Sequence, residues 1–542
     1  METIKKTAIL CFLFWSTLIY SQTIYFEVTF KDKGNNYSIS NASEFLSTIS
    51  IQKKHNRNVA IDILDIPVDT SYLHLLSNTG VHISKTSKWR NSVLASANDT
   101  NIFAQIRLLP FVKSAKYFTA YSGNTLKTLS KNMESVEWYS NPYGTSFNQL
   151  EMLNGHFLHE KGFNGEGMDI AIFDAGFPHI FTASVLLEQR HQIKSTYDFV
   201  DNDSYVFEKD QHGAMVLSVL GSSDNFMTGA APKANYHLFI TEDATTETLL
   251  EEYNWLMAAE MADSIGVDVV NSSLGYTEFY DTSTNHTYAD MDGKTTIVTK
   301  AANTLFRKGV LVVASAGNSA LDTWHYISAP ADGDSVLAVG AVDKNRKYAN
   351  FSSTGFGGTN NVKPNVSAQG EQTIIAHNIT GYGIASGTSF SGPIVAGLSA
   401  CYWQAFPKLE NWQLKSEIEK FASQYNTPDS LLGYGLPDYM KMFMMAKASD
   451  EYTYGQTFIM SLRNNPFHNQ IGIELYSSKT QNVTFELIDA QGKTICNEVK
   501  QVLQNQYLIF GLEDLQNLSS GFYFLRVYGD NGEWITRKVM KN

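Results

Sequence analysis

Between about residue 151 and residue 342 the hydrophobic positions fall into short unbroken runs separated by stretches of helical period. Residues 168–173 form one such run, ending in Asp174-Ala175-Gly176. Residues 236–240 form another, and 267–270 leads into Asn271-Ser272-Ser273-Leu274-Gly275. Residues 310–313 lead into Ala314-Ser315-Ala316-Gly317-Asn318, and 335–342 is a further run. The period between them predicts helices over 212–221, 246–264 and 295–308. Unbroken apolar strands alternating with helices predict an α/β domain over 151–450, a parallel sheet covered by helices on both faces. In such sheets the chemistry collects beyond the C-terminal strand ends. Asp174, Ser273 and Asn318 all fall at or just after such ends.

The flanks have a different texture. Residues 23–115 alternate weakly, with strands expected at 24–29 and 59–63 and helices at 71–77 and 102–108. This reads as a small α+β domain, either a pro-region or an independent binding domain. Residues 116–150 are polar and read as an exposed linker open to processing. After residue 455, alternating strands are expected at 472–476, 483–488, 521–528 and 534–539, the last two joined by the turn Gly529-Asp530-Asn531-Gly532. That pattern predicts a C-terminal β-sandwich over 455–542. At the other end, Lys5 and Lys6 precede an apolar run over 8–15, and Tyr20-Ser21-Gln22 offers an exit, so residues 1–22 read as a secretory signal. The run is too short for a membrane span, and the mature protein is expected to have none.

Charge and cysteine content narrow the classes further. Lys and Arg number 41 against 54 Asp and Glu, a net charge of −13 with no long basic run, which argues against nucleic acid as a partner. Three cysteines in 542 residues, one of them in the leader, argue against a disulfide scaffold or a cysteine-held metal. Two acidic groupings raise the question of calcium: Asp290 with Asp292, and Asp198, Asp201, Asp203 and Asp210. Counted from Asp290, an EF-hand loop fails at its required Gly and Glu, and carboxylates near a helix N-terminus are the simpler reading.

The candidate chemistry centres on Gly387-Thr388-Ser389-Phe390-Ser391-Gly392-Pro393, which opens a helix apolar on nearly every face. Ser389 there is either a helix cap or a nucleophile beside unpaired backbone N–H groups. A serine nucleophile needs a base oriented by a third group. His212 opens a helix and is followed by Gly213, Asp174 ends a buried strand, and Asn318 can either close a turn or donate to an oxyanion.

In the order Asp174, His212, Asn318, Ser389 these residues resemble the subtilisin-like serine peptidases, the subtilases, over about residues 150–445. Separations of 38 from Asp to His and 177 from His to Ser are compatible with that fold. The resemblance implies Ser389 as nucleophile, His212 as general base, Asp174 as its orienter and Asn318 in the oxyanion hole. It implies Ser273-Leu274-Gly275 and Ser315-Ala316-Gly317 as the segments that hold substrate backbone as an added strand. It also implies a secreted endopeptidase acting through an acyl-enzyme on protein or peptide substrates, made as a zymogen with an inhibitory pro-domain. No cofactor is required; calcium is compatible with the family, with no ligands assigned. Ala175 and Ala214 stand where the family usually has Ser or Thr and Thr, which keeps open a catalytically silent surface adhesion or binding protein of the same fold. An esterase of the α/β-hydrolase kind would need Gly-x-Ser-x-Gly and a different residue order. The C-terminal sandwich resembles the sorting domains of type nine secretion, which implies the secretion machinery as a partner and a secreted or cell-surface location. A carbohydrate-binding sandwich is its alternative.

Overall fold

The computed structural model describes residues 23–97, 101–121, 143–180, 191–355, 361–377, 381–446, 452–454, 457–504, 506–532 and 534–542. The expected signal and most of the expected linker lie outside them. The chain divides into two compact units, one ending at Pro437 and one beginning at Asp438.

The first unit opens with β1 (Thr23–Phe30), α1 (Thr48–Asn56), α2 (Thr70–Ser77), β2 (His82–Ser87), β3 (Ser92–Ala97), α3 (Ile102–Arg107) and β4 (Val112–Tyr121). The strands form an antiparallel sheet in the order β2-β3-β1-β4 around Phe26, Val28, Phe30, Leu76 and Ile106. Two expectations are corrected here. Residues 59–63 form no strand: they lie in a loop, where Asp62 accepts from Lys308 Nζ at 2.7 Å and Ile63 is exposed. The domain also runs past residue 115, because β4 pairs with β1 as far as Tyr121.

The rest of this unit is an α/β layer structure. Its elements are α4 (Phe147–Glu151), α5 (Gly155–Glu160), β5 (Asp169–Asp174), β6 (Ile193–Asp198), α6 (His212–Gly221), β7 (Asn235–Ile240), α7 (Leu250–Ile265), β8 (Val269–Ser272), α8 (Ile297–Arg307), β9 (Leu311–Ser315), β10 (Leu337–Val342), β11 (Val366–Gln369), the hairpin β12 (Thr373–His377) and β13 (Gly381–Ala385), α9 (Thr388–Ala405) and α10 (Asn411–Lys420). Seven strands, all parallel, are ordered β11-β10-β9-β8-β5-β7-β6. Strands β5, β8, β9 and β10 are buried almost throughout because helices cover the sheet, which is why they read as unbroken apolar runs. The chain turns outward in opposite directions from β5 and β8, so their C-terminal ends frame a crevice. The N-terminal sheet packs on α7, where Leu94 and Phe118 join the core of Phe173, Phe239 and Trp255, and Phe118 meets Tyr253 edge-on at 5.7 Å. No helix among the described residues is long and apolar enough to cross a membrane.

The second unit holds α11 (Tyr439–Ala446), β14 (Tyr452–Tyr454), β15 (Phe458–Leu462), β16 (Ile471–Ser477), β17 (Gln481–Ile488), β18 (Thr494–Val502), β19 (Gln506–Leu512), β20 (Gly521–Gly529) and β21 (Trp534–Lys541). Two antiparallel sheets, β14-β15-β16-β19 and β18-β17-β20-β21, enclose one core in which Phe485 and Phe510 meet edge-on at 4.9 Å. The sandwich starts earlier than 455, since β14 already pairs with β15.

Candidate active site

Five segments converge at the C-terminal edge of the parallel sheet. Asp174 is the last residue of β5 and is fully buried. Its Oδ1 accepts the Ala175 N–H and lies 2.8 Å from His212 Nδ1. His212 is the first residue of α6, and its backbone N–H, one of the donors a helix start leaves unpaired, donates to Asp210 Oδ1 at 2.7 Å. A carboxylate on Nδ1 holds the proton there and leaves Nε2 as the basic nitrogen; Nε2 has no hydrogen bond among the described residues. Asp174 Oδ2 is buried with no partner among the described residues, beside Ala175, which has no hydroxyl to offer it.

Gly213 explains how closely these two segments approach. A Cβ at that position would stand 2.4 Å from the Gly176 carbonyl oxygen, 2.7 Å from Phe177 Cε1 and 3.0 Å from Asp174 Cβ. Only a glycine after the histidine lets α6 settle against the end of β5.

Ser389 is the second residue of α9 and is 7% exposed. The His212 ring lies 5.9 Å, centroid to centroid, from that of Phe390, so the imidazole borders the turn that carries the hydroxyl. Ser389 Oγ donates to the Ser273 carbonyl at 3.5 Å, the longest contact in the site. The Ser389 carbonyl would ordinarily take the N–H of residue 393, but that residue is a proline inside the helix. Ser273 Oγ donates to it instead, at 3.0 Å, and Asn271 Nδ2 steadies that hydroxyl at 3.0 Å. Ser315 Oγ similarly donates to the Thr388 carbonyl at 2.9 Å. The two segments Ser273-Leu274-Gly275 and Ser315-Ala316-Gly317 are thereby tied to the first turn of α9.

Asn318 is exposed, and its amide is oriented from one side. Its Oδ1 accepts the Thr388 N–H at 2.8 Å and the Thr388 hydroxyl at 3.0 Å. With Oδ1 so fixed, Nδ2 is the group turned outward, and it has no hydrogen bond among the described residues. Such a fixed donor beside a serine can stabilise an oxyanion.

Thr388 and Ser328 are the residues that reading the sequence missed. Thr388 sets Asn318 across 70 positions of sequence, a contact with no local signal. Ser328 Oγ occupies the gap between the two edge segments, 2.1 Å from where a Cβ on Gly275 would stand and 3.4 Å from one on Gly317. Gly275 makes room for it, whereas a Cβ on Gly317 would meet Ser353 Oγ first, at 2.8 Å.

The acidic groupings resolve differently. Asp290 accepts the Thr287 N–H in a local capping turn, and Asp198 and Asp201 share the ammonium of Lys209. Among the described residues, the carboxylates close enough together to share one ion are Glu242, Glu247 and Glu251.

Comparison with known proteins agrees with this architecture. The family model described as "Subtilase family" matches residues 165–435, "Peptidase S8 propeptide domain, Bacteroidota" matches 25–135, and "Secretion system C-terminal sorting domain" matches 464–542. Subtilisin DY of Bacillus licheniformis is 28% identical over 301 residues, covering 54% of this chain and 96% of that protein. Minor extracellular protease Epr of Bacillus subtilis (strain 168) is 26% identical over 433 residues, covering 78% and 58%. Thermophilic serine proteinase of Bacillus sp. (strain AK1) is 30% identical over 277 residues, covering 50% and 60%.

Proposed function

Because the chain belongs to the subtilase family, we propose that its convergent site hydrolyses peptide bonds through an acyl-enzyme formed on Ser389. The protein is a subtilisin-like serine endopeptidase, made with a pro-domain and a sorting domain for secretion or surface attachment. The observation that carries the mechanism is the Asp174–His212 pair, 2.8 Å long, set against the turn that bears Ser389.

In this reading the Ser389 hydroxyl leaves its 3.5 Å contact with Ser273 and turns to His212 Nε2. The imidazole takes its proton as Oγ attacks the substrate carbonyl. Buried Asp174 holds the ring's orientation and stabilises the imidazolium. The new oxyanion is met by Asn318 Nδ2 and the Ser389 N–H at the positive end of α9. His212 then returns the proton to the leaving amine, and water repeats the cycle on the ester. The substrate chain lies as an added strand between Ser273–Gly275 and Ser315–Gly317.

The test is labelling of the secreted, processed protein with a fluorophosphonate probe. Labelling of wild type, lost in Ser389→Ala, is the expected result. A folded, processed wild type that resists the probe at neutral pH would instead support the silent binding protein.

A further inference from the structure

Helix α1 is an unusual element with which to dock a domain. Its buried residues are Ser50 and Lys54, and Ile49 is 55% exposed, so apolar burial does not hold it. Cations do. Lys53 Nζ donates to Asp169 Oδ2 at 2.6 Å, to Asp268 Oδ2 at 2.7 Å and to the Gly266 carbonyl at 2.9 Å. Lys54 pairs with Asp263. Arg57, just past the helix, pairs with Asp268, and its guanidinium carbon lies 3.9 Å over the Trp403 ring. These receiving groups belong to the protease domain, Lys54 Nζ lying in addition 3.7 Å from Asp65 of the pro-domain itself, and the Asp263 and Asp268 side chains are 1% exposed.

This face is not the cleft. Asp169 begins β5 and Asp174 ends it. At about 3.3 Å per residue the two lie roughly 17 Å apart, on opposite edges of the sheet. The carboxylates sit at strand and helix ends of a packed domain, so their positions do not depend on α1. When the pro-domain leaves, Asp169, Asp263 and Asp268 lose the cations of Lys-Lys-x-x-Arg together, Asp263 loses Lys88 as well, and the Trp403 face loses its guanidinium.

We propose that this face is an exosite of the mature protease, which captures basic helices of other proteins through the Lys-Lys-x-x-Arg spacing that α1 presents to it first. The proposal rests on the pro-domain being removed. Both the charge and the geometry are specified: two adjacent ammonium groups and a guanidinium one turn further on, the last stacked on an indole. Partners or substrates bearing such a helix would be tethered to the protease on the edge away from the cleft, which raises the effective concentration of their flanking segments.

The test uses the mature protease obtained from its own full chain and blocked at Ser389 by a fluorophosphonate. The ligand is a labelled alanine-rich helical peptide carrying Lys, Lys and Arg at i, i+1 and i+4. A control peptide of equal charge carries them at i, i+2 and i+5. N-terminal sequencing of the preparation first reads whether the pro-domain has gone; a retained Thr23 overturns the premise and the exosite with it, whatever the peptides do. Expected is saturable binding, at least tenfold tighter for the matched peptide, weakened at least tenfold between 50 and 500 mM salt, and lost in Asp268→Asn. Equal affinity for the two peptides would reduce the face to diffuse attraction and overturn the proposal. So would an absence of saturation, or an unchanged affinity in a folded Asp268→Asn variant. The spacing comparison is made on the wild-type enzyme, so it stands even if the variant does not fold.

Discussion

Replacing Gly213 with alanine tests whether the approach of α6 to the end of β5 sets the catalytic geometry. The added Cβ would stand 2.4 Å from the Gly176 carbonyl oxygen, 2.7 Å from Phe177 Cε1 and 3.0 Å from Asp174 Cβ. Ordinary contact is about 3.5 Å, so the two segments must part by roughly 1 Å. Two of the three obstacles are backbone or Cβ atoms and cannot swing aside. The Asp174–His212 bond starts at 2.8 Å, and 1 Å of added separation carries it beyond hydrogen-bond range. Misplacement on that scale costs about 10²-fold in rate, and overpacking costs about 1–3 kcal/mol of stability. The assay is kcat and KM on a fluorogenic peptide, normalised to the folded fraction by circular dichroism, with processing supplied by a trace of wild type. The expected result is a kcat about 10²-fold lower at nearly unchanged KM. A folded Gly213→Ala enzyme with kcat within about threefold of wild type would refute the reasoning.

Ser389→Ala should leave the pro-domain attached and lower turnover by about 10⁶, a scale borrowed from subtilisin itself; electrophoresis of the secreted chain and peptide hydrolysis check both. Asn318→Leu should fold, label more slowly and lose about 10²–10³ in kcat with KM little changed, again on the subtilisin scale. Thr388→Val removes one of the two donors that orient Asn318, and its kcat should fall by less than that of Asn318→Leu. For pH, burial alone would raise the Asp169 carboxyl, but the His237 hydrogen bond and the charge of Lys53 outweigh it and bring it from 3.8 to about 2. A depressed carboxylate contributes stability that is complete above about 3.8 and lost as pH falls through about 2. In full-length Ser389→Ala, adding Asp169→Asn should therefore remove about 2 kcal/mol at pH 7 and flatten the acid limb of the denaturation curve.

The protease sheet was legible because full burial leaves an unbroken apolar run, and the groups of interest sit where those runs stop. Asp174 and Asn318 stand at such ends, and the order they form with His212 and Ser389 gave them their candidate roles. Polar edge strands were not legible: β6, Ile-Lys-Ser-Thr-Tyr-Asp, and β18, with exposed residues alternating along it, carry too little apolar signal. Helix α1 escaped notice for a different reason. Its contact face is built from lysine and arginine, and the carboxylates that make those residues an interior lie more than 100 positions downstream. Asp169, at the start of β5, gives no sign in the sequence of the burial that its ion pair with Lys53 brings, its side chain being 14% exposed. Long-range hydrogen bonds, such as Thr388 to Asn318, have no periodic trace at all.

Proline at position 393 has a mechanical consequence. A helix normally keeps its first-turn carbonyls for itself, and so moves as a separate rod. Here the rod is riveted, through one serine hydroxyl, to the rail along which a bound peptide would run. A peptide gripping that rail would pull directly on Ser389, the proposed nucleophile. Contacts several residues upstream of the scissile bond should then register in the speed of the first chemical step as well as in how tightly the chain is held.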